Sequence, residues 1–176
     1  MQFLAIVALS IAAAVGYGIV HDQITVRICL EYFTIGHPDI FGTTSPTLLA
    51  LGWGVVATWW VGLFLGLGLA TASRAGDRPV VDARTLVRPI GILLVVMAAA
   101  AILSGAVAAG FTARGEVPLP GSLGSLVPLN AQRGFFIDLA AHSASYMVGG
   151  VGGLVLIYWV WRRRLRERPT DSLTKS

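Results

Sequence analysis

Residues 47–72 read TLLALGWGVVATWWVGLFLGLGLATA, 26 consecutive positions without a charge. A helix needs about 20 mostly apolar residues to cross the hydrocarbon core of a bilayer, so this stretch is long enough to span. Three other stretches share the property. Residues 3–20 and 90–113 hold no charge, and residues 139–161 hold only the titratable His142. All eight prolines fall outside the four stretches, in the linkers 21–46, 73–89 and 114–138 or in the tail 162–176. That is where chain-breaking residues belong if the four stretches are helices.

The composition agrees. Of 176 residues, 55% are hydrophobic and 12% charged, with a mean hydropathy of +0.74. A soluble domain carries about 25% charged residues, and a disordered chain is charge-rich and apolar-poor, so both classes are excluded. The single cysteine, Cys29, rules out an intramolecular disulfide framework and reads as a small buried apolar residue. The expectation is one all-α membrane domain over 1–176, a four-transmembrane-helix bundle with a basic cytoplasmic tail at 162–176. Ala12 and Ala14 offer an A-x-A-like cleavage site in the first stretch. No Lys or Arg precedes the run, however, and it exceeds the usual ~7–15 residues of a signal-peptide core, so a retained helix is expected.

The few charges sort by side. Linker 73–89 and the tail, which four spans place on one side, hold ten of the thirteen bases (Arg74, Arg78, Arg84, Arg88, Arg162, Arg163, Arg164, Arg166, Arg168 and Lys175) against four acids (Asp77, Asp82, Glu167 and Asp171). The other side holds Arg27, Arg114 and Arg133 against Asp22, Glu31, Asp39, Glu116 and Asp138. The positive-inside rule then puts both termini in the cytoplasm of a bacterial cell, with the chain multi-pass in the inner membrane. The same distribution explains the isoelectric point near 9.8 without a nucleic-acid partner, because the bases sit where they fix topology and meet anionic lipid. Trp159 and Trp161, followed by Arg162, Arg163 and Arg164, read as an interfacial anchor.

Small residues four apart recur within the spans: Ala14 and Gly18; Gly62 and Gly66; Ala101, Gly105 and Ala109; Ser145, Gly149 and Gly153. Such pairs let helices approach closely in lipid. Packing within one bundle accounts for them, and they can also join copies into a homo-oligomer. Trp59 and Trp60 lie mid-span, too deep for an interfacial belt, and either pack on glycine-lined neighbours or face lipid.

Chemistry is concentrated on the periplasmic side. All three histidines, His21, His37 and His142, fall there with Asp22, Glu31, Asp39 and Asp138. At 100° per residue with Asp138 at 0°, His142 falls at about 40°, Ser145 at about 340°, Tyr146 at about 80° and Gly149 at about 20°. His21 and Asp22 likewise continue the Ala14/Gly18 face. These polar groups therefore point into the bundle or its mouth, where ionisable side chains are costly and tend to be paired and functional. Imidazole and carboxylate are ordinary ligands of zinc, iron and copper, and Asp138 and His142 at i, i+4 can present two ligands on one face. His21, His37 and Glu31 are further candidates, with Asp22, Tyr32, Ser145 and Tyr146 around them. No recognised zinc spacing is present. The same residues suit a hydrogen-bonded network that closes the outer end, or a proton path.

Residues 21–37, HDQITVRICLEYFTIGH, admit a strand by alternation or a helix carried through Phe33 with Arg27 and Glu31 paired at i, i+4. The helix accounts more simply for hydrogen bonds at membrane depth and is expected. Linker 114–138, with Leu119, Leu123, Leu126, Val127 and Leu129, is apolar for an aqueous loop. It is expected to lie on the membrane surface or to cover the outer cluster as a lid.

The stretch Tyr17 to Thr34 resembles a signature of uncharacterised bacterial integral membrane proteins, a His-Asp-Gln-x-Thr block followed by Glu-Tyr-Phe-Thr. The matching residues are His21, Asp22, Gln23 and Thr25, then Glu31, Tyr32, Phe33 and Thr34. An Ala-His-x-x-Ser-Tyr stretch, Ala141, His142, Ser145 and Tyr146, is similar too. The resemblance implies a multi-span inner-membrane protein and no activity. Two function classes remain: a periplasm-facing His/carboxylate site that binds a divalent transition metal, and a non-enzymatic structural or assembly subunit of a membrane complex. A small transporter is a third.

Overall fold

The computed structural model describes residues 1–115 and 117–166. Glu116, Glu167, Arg168, Asp171 and Lys175, which entered the charge count, lie outside the described residues. No strand occurs among the described residues. The elements are α1 (Gln2–Thr25), α2 (Leu30–Thr34), α3 (Pro46–Val56), α4 (Trp59–Arg74), α5 (Ala83–Thr112), α6 (Leu123–Leu126) and α7 (Leu129–Arg166). Four helical units are long and apolar enough to cross a membrane: α1, α3 with α4, α5, and α7. The protein is an all-α four-helix membrane bundle.

Each span outruns its apolar core. Helix α1 continues past Val20 through His21 and Asp22 to Thr25, and α7 begins ten residues before Leu139. At 1.5 Å per residue α7 is about 57 Å long, nearly twice the hydrocarbon thickness, so it projects beyond the core. The second span breaks at Ala57 and Thr58, where the Thr58 hydroxyl donates to the Gly54 carbonyl. Trp59 and Trp60 follow the break and are about half exposed on the outer surface, so they face outward rather than packing on glycines.

Helix α1 packs along α3 and α4, and α5 packs along α7; the two pairs meet more sparsely, α4 on α7 and α1 on α5. Helices α1 and α7 thus occupy opposite corners of the bundle. The small-residue pairs are used inside the chain. A methyl group at Gly18 would lie 2.6 Å from the Gly54 carbonyl oxygen, and one at Gly62 2.7 Å from the Ile11 Cα. Gly149 and Gly153 are likewise covered by Met97 and Leu65. The outside is apolar: Phe64, Val95, Ile102 and Leu154 are each more than 60% exposed. In water such a surface would aggregate; a lipid bilayer covers it.

Two apolar clusters close the ends. At the end where α1 begins and α7 finishes, Ile6, Leu69, Leu86 and Val160 pack together. At the other end Val26, Phe33, Trp53, Val127 and Phe135 form a cap. Leu119 and Leu123 pack on that cap and Val127 is buried in it, as a lid requires, while Leu126 and Leu129 stay exposed. Neither the strand nor the unbroken helix forms over 21–37. Helix α1 stops at Thr25, residues 26–29 turn, and α2 is a single short helix. The β-branched run Ile24, Thr25, Val26 and Ile28 holds a helix weakly, and the turn lets Val26 and Cys29 both face the cap core. The break also removes the expected Arg27–Glu31 pair. Arg27 instead donates to the Gln23 side chain at 2.8 Å and to Thr47 Oγ1 at 3.3 Å.

Arg164 departs from its expected role as a lipid-facing anchor. It is 1% exposed and donates to the carbonyls of Ala72, Ala75, Arg78 and Pro79 at 2.7–3.1 Å. The last carbonyls of a helix have no intrahelical partner and carry its negative dipole end; Arg164 caps α4 with a planar fork of donors. Arg162 and Arg163 are exposed and lie over Tyr158 and Trp159, with ring distances of 5.9 and 5.8 Å.

Candidate functional site

The last turn of α1 carries His21 and Asp22 into the bundle, and one face of α7 carries Asp138, His142 and Ser145 towards them. Asp22, Asp138, His142 and Ser145 are all buried, and Asp138 is fully so. The two helices sit diagonally, and these long polar side chains bridge the gap between them. Tyr17 Oη lies 2.8 Å from Ser145 Oγ, the His21 ring meets the His142 ring edge-on at 4.4 Å, and His142 Nε2 lies 3.2 Å from Asp22 Oδ1. Tyr32 of α2 closes the site from above, its ring stacked on His142 at 4.5 Å.

The proton positions on His142 follow from its partners. Nδ1 lies 2.8 Å from the Asp138 carbonyl oxygen, which can only accept, so Nδ1 carries a proton. A neutral ring then presents the bare Nε2 lone pair to a carboxylate. That contact is attractive only if a positive charge lies between them, as a proton or as a metal ion. The carbonyl-bound Nδ1–H with a free Nε2 is the usual second-shell arrangement of a metal-ligating histidine.

His21, Asp22 and His142 can each aim one ligand atom at a common point, and these atoms lie within 4.8 Å of one another. Tetrahedral bonds of about 2.1 Å hold zinc ligands ~3.4 Å apart, so loading requires the widest pair to close by about an ångström or more. Two further observations point to a missing partner. His21 Nε2 is buried without a hydrogen bond, and so are both carboxylate oxygens of Asp138. The Cys29 amide approaches Asp138 but is committed to the Thr25 carbonyl. Asp22 thus has His142 beside its carboxylate, while the Asp138 carboxyl is buried without a partner, where an ionised group is costly.

The other candidates sit elsewhere. His37 does not join the ligand triad. Its Nδ1–H donates to the Tyr32 carbonyl at 2.9 Å, and its ring packs 4.5 Å from Trp53 and stacks on Phe33. Burial holds its pKa below the usual histidine value, against the opposing pull of the Tyr32 carbonyl. Glu31 faces Cys29, whose Sγ lies 3.4 Å from Oε2; burial pushes the Cys29 thiol up to about 11. Burial also raises the Tyr32 phenol above its ordinary value, with Tyr146, Asp138 and Asp22 adding to the effect. Sequence reasoning missed Tyr17, although it stands one turn before His21, the same spacing that linked Asp138 to His142.

Beneath the cluster lies a cavity of about 110 Å³. His21, Asp22, His142 and Tyr146 line one end; the rest of its wall is almost wholly apolar.

No protein-family model matches the chain, and comparison with curated proteins and with solved structures finds no significant match. The reading of the site therefore rests on its geometry.

Proposed function

We propose that this chain is a multi-pass protein of the bacterial inner membrane that binds a divalent transition metal, zinc, iron or copper, at the periplasmic end of its bundle. His21, Asp22 and His142 are the ligands, and Asp138 is the buried acid that balances the ion's charge. The observation that carries this reading is the convergence of three ligand atoms, with His142 Nε2 3.2 Å from Asp22 Oδ1, its Nδ1 tied to a backbone carbonyl, and His21 Nε2 buried beside them without a hydrogen bond. Orientation follows the asymmetry of the bases, which leaves the histidine end outside. The residues of the three similar sequence blocks, His21 and Asp22, Tyr32, and His142 with Ser145, meet at this one point, which supports treating them as a unit.

A bound ion of this kind would act as a Lewis acid or activate a ligated oxygen. The chain's own groups fix the imidazole planes through Tyr17, Tyr32 and the Asp138 carbonyl, and they exclude bulk water by the cap above. Metal analysis of the purified full chain, equilibrated with zinc, iron(II) or copper and then desalted, tests the reading. About one equivalent of one metal is expected, falling by about tenfold or more in His21→Ala and His142→Ala. A wild type that retains none, or variants that retain as much as wild type, overturns it in favour of a purely structural polar network.

A further inference from the structure

The residues around the cavity beneath His21, Asp22 and His142 extend far along two helices. Its wall on α1 runs from Ser10 to Asp22 and on α7 from His142 to Ile157, about 18 and 22 Å of helix rise respectively. A compact cavity of about 150 Å³ holds a benzene ring; at about 110 Å³ this one has room for a short stretch of one hydrocarbon chain, and a longer chain must part the helices to follow the lining residues inward. Ala14, Gly18, Gly62, Gly149, Gly150 and Gly153 line it, and of these glycines only Gly150 has open space where a Cβ would stand. A wall of this character does not hold water, and apolar matter is what can fill it.

Depth supplies the second half of the argument. His142 lies close to the end of the apolar core of α7, and the cavity extends from it towards the membrane interior. Its polar end thus stands at the level of lipid headgroups and its apolar bore at the level of acyl chains. Tyr146 lines the cavity yet is 47% exposed, and the α4–α7 contact is sparser than those within each helix pair. A molecule already in the bilayer can reach the bore sideways.

We propose that the cavity binds a single-chain amphiphile, its hydrocarbon chain in the bore and an oxygen-bearing headgroup at His21, Asp22 and His142. The headgroup half rests on the metal reading above; the chain half does not. This makes the substrate class of the site a fatty-acid-like lipid rather than a soluble solute.

Photolabelling in lipid nanodiscs tests this, since detergent chains would compete for the bore. Two fatty-acid probes carry a diazirine, one beside the carboxylate and one at the chain end. The first is expected to label the His142–Gly150 segment, and the second Gly153–Ile157 and Ser10–Ala14. Gly150→Leu should abolish both patterns. Gly150 lines the cavity, a Cβ there meets no atom within 4 Å, and leucine favours the helix over glycine. Labels confined to the lipid-facing Val151, Leu154 and Val155, unchanged by Gly150→Leu, overturn the inference. If Gly150→Leu does not fold, the wild-type map decides alone. Metal content of the same samples separates the two readings: interior labelling without metal removes the metal centre and leaves the chain site, and metal without interior labelling does the reverse.

Discussion

The two ends of the bundle each bury polar side chains, and they treat them in opposite ways. At the end where α1 begins and α7 finishes, Arg164 places its guanidinium among four backbone carbonyls, each 2.7–3.1 Å away. At the histidine end, Asp138 is fully buried with neither carboxylate oxygen bonded, and His21 Nε2 is equally alone. A satisfied buried group stabilises its surroundings; an unsatisfied one costs free energy that the rest of the fold must offset. The first end is built for stability. The second keeps unpaired groups beside a cavity, which makes sense if something else completes them.

The contrast breaks first at Arg164. Arg164→Ala strands carbonyls at the end of α4 and in the following loop, and should destabilise the protein by about 3 kcal/mol. Arg164→Lys should recover little of this, because an ammonium cannot present a planar fork to four acceptors. Thermal unfolding in detergent reads both. A wild-type melting temperature in Arg164→Ala would mean that the clamp is ornamental and the comparison empty.

The opposite sign is expected at Asp138. Asparagine keeps the shape and removes the ionisable carboxyl that lacks a partner. Metal-free Asp138→Asn should therefore be more stable than metal-free wild type, by about 1–2 kcal/mol. The same variant should bind metal more weakly, so the ion stabilises it less than it stabilises wild type. A lower melting temperature in metal-free Asp138→Asn would show that this carboxylate already has its partner.

How much of this the sequence disclosed follows from which forces are local. Span number and class were legible because 20-residue apolar runs and proline placement report directly on burial in lipid. The Asp138/His142/Ser145 face was legible because helical periodicity is fixed. Periodicity also aimed His21 and Asp22 inward, but only tertiary packing could set α1 diagonally opposite α7 and bring Asp22 to His142. His37 was grouped with the site because side of membrane is a coarse coordinate; its ring belongs to the aromatic cap around Trp53. Arg164 sits among interfacial arginines and looks like one, since nothing local marks which arginine meets the carbonyls of a helix end and loop 85–92 residues earlier. The break at 26–29 was hidden because both its β-branched residues and its apolar spacing suit more than one conformation.

A smaller effect probes the bridge between α1 and α7. Tyr17→Phe removes the hydroxyl contact with Ser145 at 2.8 Å and leaves the ring stacked near His21. The cost should be about 1 kcal/mol, and metal content should not change, because Tyr17 orients His21 through its ring. Loss of metal in Tyr17→Phe would move the hydroxyl into the binding machinery.

The smallest effect concerns pH and His37. Its ring faces Trp53, Phe33 and the Tyr32 carbonyl; His142 opposes its protonation and Asp22 favours it. With burial dominant, its folded pKa lies below the unfolded value of about 6.5. Below that value the unfolded chain takes up a proton that the folded one resists, so stability falls as pH drops from 6.5 towards the folded pKa, and no further beyond it. His37→Phe cannot titrate and should lose less stability than wild type between pH 7.5 and 5. The comparison is best made on a His142→Ala background, where the metal site no longer adds its own proton dependence. If the slopes match there, the cap does not shield His37 from protons, and the histidine end is wetter than its packing implies.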